Sequence, residues 1–102
     1  MKALKIEPDG QTEIVEITGT VEEQNDRIWE ILDGYFDIVR MHDALVLVND
    51  EGLLDELPVN LKAMRISRYP MLVGTALIVG IEDSEDGEVF ADCPDHYLTR
   101  WA

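Results

Sequence analysis

The sequence predicts an α+β domain: an antiparallel or mixed sheet of four to five strands, with one amphipathic helix over about residues 20–33 packed on a face. Three observations carry this prediction. Apolar runs of strand length at 35–40, 44–48 and 74–81 lack the regular strand–helix alternation of a doubly wound sheet. Only the 20–33 stretch combines helix punctuation with a clear helical apolar period. The chain has 102 residues, 46% of them apolar, which suits one core and a single domain, 1–102.

The first element is a hairpin over residues 2–17. Leu4 and Ile6 fall on one face of its first strand, Lys5 and Glu7 on the other. Pro8-Asp9-Gly10 supplies turn chemistry, and Glu13–Ile17 is the return strand. Thr20 and Glu23 then have capping-box spacing, and Gly34 sits where helices commonly end. On a helical projection Val21, Ile28, Ile31 and Leu32 share one face. Glu22, Glu23, Asp26, Glu30 and Asp33 share the opposite one. Trp29 lies at the edge of the apolar stripe and is read as core.

Residues 35–40 form a strand, and Ala44–Val48 reads as a central strand buried on both sides. Residues 60–68 suit a short helix or an irregular crossing, and 74–81 is another buried strand. Residues 82–88 hold five acids in seven positions and read as a solvated turn. Residues 95–101 suit a short final helix.

Charge is the unusual property. Twenty-two Asp and Glu face eight Lys and Arg, a net charge of −14. That excludes a basic footprint for direct nucleic-acid binding and disfavours an anionic membrane surface. It favours basic partners. Cys93 is the only cysteine, so no intrachain disulfide forms and a cytoplasmic setting is expected. The N-terminal stretch has no apolar run of signal-peptide length. No feature sets an oligomeric state.

Four segments carry a family resemblance: the opening KALKIEP (2–8), DALVLVNDEG (43–52), LPVNLKA (57–63) and GTALIVG (74–80). In order and spacing they resemble the small domains of phages and other mobile elements grouped as domain of unknown function 3846. The resemblance implies an accessory gene acting in a host cytoplasm. It brings no activity and no catalytic residue.

Cys93 and His96, with Asp92 and Asp95 beside them, fall short of the four ligands of a structural zinc site, so no metal is expected. His42-Asp43 reads as a turn between strands rather than a base with its orienting acid. Lys62, Arg65 and Arg68 form a cationic stripe if helical, read as neutralising nearby acids. No nucleophile elbow, phosphate loop or dinucleotide fingerprint is present, and no catalytic residue or cofactor is assigned.

The acidic helix face carries the leading functional expectation. Glu22/Asp26 and Asp26/Glu30 are like-charge i, i+4 pairs, each costing about 0.2–0.5 kcal/mol. Asp33 opposes the helix dipole. The expected function is that of a non-enzymatic acidic protein binding a basic site on a host protein, as a nucleic-acid mimic or inhibitor. Two alternatives stand beside it: a small enzyme or ligand-binding domain using His42 or His96 in a pocket, and a structural or assembly protein whose acidity serves solubility or high-salt adaptation.

Overall fold

Alternation along Lys2–Ile6 (β1) sends Leu4 and Ile6 to one side and Ala3 to the other. All three are fully buried, which requires a strand with neighbours on both edges and layers on both faces. A computed structural model, which describes residues 1–102, supplies them. The remaining elements are β2 (Thr12–Glu16), α1 (Val21–Leu32), β3 (Phe36–Arg40), β4 (Leu45–Asn49), α2 (Leu61–Ser67), β5 (Ala76–Ser84), β6 (Gly87–Ala91) and α3 (Asp95–Trp101).

The sheet is antiparallel throughout, in the order β2-β1-β5-β4-β3. β5 is the central strand. Its first half pairs with β1 and β4, and its second half pairs with β6. Leu4, Ile6, Val46 and Ile78 form one face, covered by Ala63 of α2 and by Tyr97, Leu98 and Trp101 of α3. Ala3, Leu47, Leu77 and Val79 form the other, covered by Ile28 and Leu32 of α1. The continuous apolar runs in β4 and β5 thus have the cause inferred from them: both faces are buried.

Several expectations are corrected. The fold is α+β with an antiparallel sheet, but it has six strands rather than four to five, and the short segments at 60–68 and 95–101 are helices α2 and α3, so that helices cover both faces of the sheet and not one. Residues 82–88 are not simply a turn: β5 runs on through Glu82–Ser84, and β6 starts at Gly87. Gly87 takes φ +109, which the reversal after Asp86 requires. Ser84 Oγ accepts from the Asp86 N–H and donates to the Gly87 carbonyl. Val21 is 70% exposed and Trp29 48% exposed, because α1 rests on the sheet mainly through Ile28 and Leu32.

The β5–β6 hairpin folds over the α1 side of the sheet. Phe90 meets Phe36 at 6.2 Å between ring centroids, and Glu88 pairs with Arg40. Gly80 permits the close packing at its base: a Cβ there would lie 2.1 Å from the Asp92 carbonyl oxygen. Just beyond β6, the Cys93 N–H donates to the Lys2 carbonyl and the Lys2 N–H to Asp92 Oδ1, each at 2.8 Å.

Candidate functional site

Helix α1 begins as its capping box dictates. Thr20 Oγ1 accepts from the Glu23 N–H at 3.2 Å, and Glu23 Oε1 accepts from the Thr20 N–H at 3.0 Å. The Thr20 backbone N–H, then its hydroxyl, hold the Glu23 carboxyl below the usual range. Glu23 therefore has a structural task before any other. At the far end Asp33 adopts the left-handed conformation (φ +61), and Asn49 Nδ2 donates to the carbonyls of Leu32 and Asp33. Orphan carbonyls of the last turn are thus satisfied from β4.

With both ends fixed, the outer side of α1 faces the end of β2. Glu23, Asp26 and Glu30 line an open concavity of about 320 Å³ together with Glu16, Thr18 and Arg27. No apolar residue lines it. Of the five carboxylates predicted to form one face, three converge here. Glu22 does not line this concavity, and Asp33 lines a separate one toward the β1–β2 turn. Two further participants were not identified from sequence. Glu16 comes from β2, and Arg27 sits within the acidic group, 3.5 Å from Glu30. The helical period could have located Arg27; Glu16 joins only through tertiary packing.

The second cluster forms around Asp43, in the β3–β4 turn. Its two carboxylate oxygens contact His96 Nε2 and Tyr97 Oη of α3, each at 2.6 Å. Asp43 thus pairs with His96, not with its neighbour His42, which is exposed. The Tyr97 hydroxyl is the largest influence holding Asp43 below the carboxylate range, and His96 adds to it. Burial, then the Asp43 carboxylate, push the Tyr97 phenol well up. Burial likewise pushes the Cys93 thiol up to about 11. The Tyr97 phenol and the Cys93 thiol are therefore protonated at neutral pH, and neither is an activated nucleophile. Their arrangement ties α3 to the sheet. No group of three His, Cys, Asp or Glu side chains is placed to hold a metal ion.

The cationic stripe is also redistributed. Lys62 donates to the Gly10 carbonyl and lies 6.0 Å from the Trp101 ring, while Arg68 caps α2 in the left-handed conformation. None of Lys62, Arg65 and Arg68 enters an ion pair, so they do not neutralise adjacent acids. The reason is local: residues 57–81 contain no Asp or Glu. No helix is long and apolar enough to cross a membrane.

The model of the family described as domain of unknown function (DUF3846) matches residues 1–102, the whole chain. No curated protein and no solved structure matches it.

Proposed function

The chain belongs to the DUF3846 family, whose description carries no activity, and on that premise we propose that it is a non-enzymatic binding protein presenting carboxylates to a basic site on another protein. The observation that carries this reading is the concavity between α1 and β2. Asp26 enters no ion pair and lines the concavity with Glu16, Glu23 and Glu30; Arg27 is the one cation in the lining, and the Met1 ammonium lies 3.4 Å from Glu16. Asp26 and Glu30 are one helical turn apart, so their stems rise about 6 Å along the axis. A groove built for backbone phosphates would accept such a row, and a partner that handles nucleic acid fits the chemistry. If the gene is carried by a phage or mobile element, that partner is a host protein in the cytoplasm. The Asp43 cluster, with its protonated phenol and thiol, favours a structural tie over a catalytic site and so weighs against the enzyme alternative.

The test is a pull-down from host lysate with the wild-type chain and a Glu16→Gln, Asp26→Gln, Glu30→Gln variant. Glu23 is left intact because it caps the helix. The wild type should capture a protein that salt or duplex DNA releases, since electrostatic association is steeply salt-dependent. The variant should lose it while keeping its circular dichroism. Equal capture by the variant, with equal salt dependence, overturns the proposal.

A further inference from the structure

The β3 edge of the sheet is open. The Met41 N–H donates to the Ala44 carbonyl and the Asp50 N–H to the Tyr35 carbonyl. In an antiparallel ladder this fixes the alternation: Asp37 and Val39 face β4, while Phe36, Ile38 and Arg40 turn their N–H and C=O groups outward. No other strand pairs with β3, and no turn or side chain takes up these six groups. Natural edges are commonly blunted by Pro, Lys, a bulge or a covering loop. Phe36-Asp37-Ile38-Val39-Arg40 has no Pro, Lys or bulge, and its one cation, Arg40, is paired with Glu88.

Exposed apolar side chains flank the edge on both faces of the sheet. On the α1 side, Val21, Ile38 and Val89 line an open groove of about 500 Å³ with Phe36 and Phe90. On the α2 side, Leu53, Tyr69 and Met71 line a second groove beside Val39. Both grooves run along the same five-residue strand.

We propose that β3 is a self-association edge, pairing antiparallel with β3 of a second copy about a twofold axis at Ile38. The register is self-complementary: Ile38 faces its own symmetry mate, and Phe36 faces Arg40. Every outward N–H and C=O then finds a partner, and a ten-strand sheet runs through both copies. Charge selects this occupant and this edge. β3 carries one acid and one cation, and the register opposes Asp37 to Val39, so no like charges face directly. The other edge, β2, carries Glu13 and Glu16 and no cation, so two copies meeting there would bring four carboxylates together with no positive charge on either strand. On a molecule of net charge −14, β3 is the edge at which a second equally acidic copy fits. The inference does not rest on the acidic site, which lies toward β2 at the opposite end of the strand order.

The test is sedimentation of the full chain over a concentration series in moderate salt. Wild type should shift to twice the chain mass as concentration rises. Ile38→Lys should stay monomeric with unchanged circular dichroism. Ile14→Lys, the matching outward position on β2, should dimerise like wild type. As a check on register, Ile38→Cys should crosslink to its mate under mild oxidation, because hydrogen-bonded antiparallel partners have Cα atoms about 5.5 Å apart. The buried Cys93 does not compete. A wild type that remains monomeric throughout, or an Ile38→Lys variant that still dimerises, overturns the proposal. So does an Ile14→Lys variant that loses dimerisation as Ile38→Lys does.

Discussion

Asn60 is fully buried, and its side chain makes three hydrogen bonds. Nδ2 donates to the carbonyls of Ile6 and Gly74, both at 2.9 Å, and Oδ1 accepts from the Ala63 N–H at 3.0 Å. One amide therefore joins the end of β1, the approach to β5 and the start of α2. Asn60→Ala removes all three bonds in a site with no solvent exposure. A hydrogen bond is worth about 0.5–1.5 kcal/mol net, and a buried group left unpaired costs about 1–3 kcal/mol. These scales describe the same loss and are not added. At slightly over 1 kcal/mol per group, the three groups give a destabilisation of about 3–4 kcal/mol. Against a total stability of about 5–15 kcal/mol, that is a large fraction.

Two companion variants separate the contributions. Asn60→Ser keeps an oxygen for the Ala63 N–H and should recover about 1 kcal/mol, the usual value of an N-cap. Asn60→Asp also keeps the cap, but it turns two donors into an anion facing two carbonyl oxygens. At pH 7 it should be at least as damaging as alanine, and the deficit should shrink on acidification as the carboxyl gains a proton to donate. Urea unfolding followed by tryptophan fluorescence and far-ultraviolet circular dichroism measures each difference at constant m. A loss below about 1 kcal/mol for Asn60→Ala, or wild-type stability for Asn60→Asp at pH 7, would refute the accounting.

Gly80→Ala should lower stability by about 1–3 kcal/mol or more, because the new Cβ meets the Asp92 carbonyl at 2.1 Å; thermal melting checks it. Asp43 has a folded pKa below its unfolded one. Its contribution is therefore complete above about pH 4 and disappears as pH falls through the folded value. Asp43→Asn should flatten that acid limb in a series of melts, and an unchanged limb would count against the tie to α3. The Cys93 thiol, at about 11, should react far more slowly with a disulfide reagent at mildly alkaline pH in the folded chain than in urea.

Helix α1 was legible because its signals are local: Thr20 and Glu23 are three residues apart, and Ile28 and Leu32 follow the helical period. Strand β1 was legible from its alternation and the turn after it, and β4 and β5 because burial on both faces leaves continuous apolar runs. β6 was not, because Glu82 and Asp83 suit solvent and the pairing that holds them is tertiary. Asp86-Gly87 was the available hairpin signal. The same distinction separates the two clusters. Asp26 and Glu30 share a helix and could be placed together from spacing. Glu16 joins them only when β2 packs beside α1, and Asp43 meets a histidine 53 residues away in place of the adjacent one. The sequence left 60–68 open between a short helix and an irregular crossing, because the burial of Asn60 and its bonds to Ile6 and Gly74 are set by strands distant in sequence.

The charge distribution links the two proposed association surfaces. Acids are absent from 57–81, the stretch that supplies α2 and most of β5, and β3 carries one acid and one cation. Eleven of the twenty-two acids lie on β2, α1 and the β5–β6 hairpin, and four more on 50–56. Salt must therefore act in opposite directions at the two surfaces. Screening weakens the attraction of Glu16, Asp26 and Glu30 for a basic partner. Screening strengthens pairing at β3, where apolar contacts and backbone hydrogen bonds must overcome the repulsion between two copies of charge −14. The response of each complex to salt thus identifies the surface that holds it. A partner complex strengthened by salt would place its contact away from α1, and a dimer dissolved by salt would place its contact away from β3.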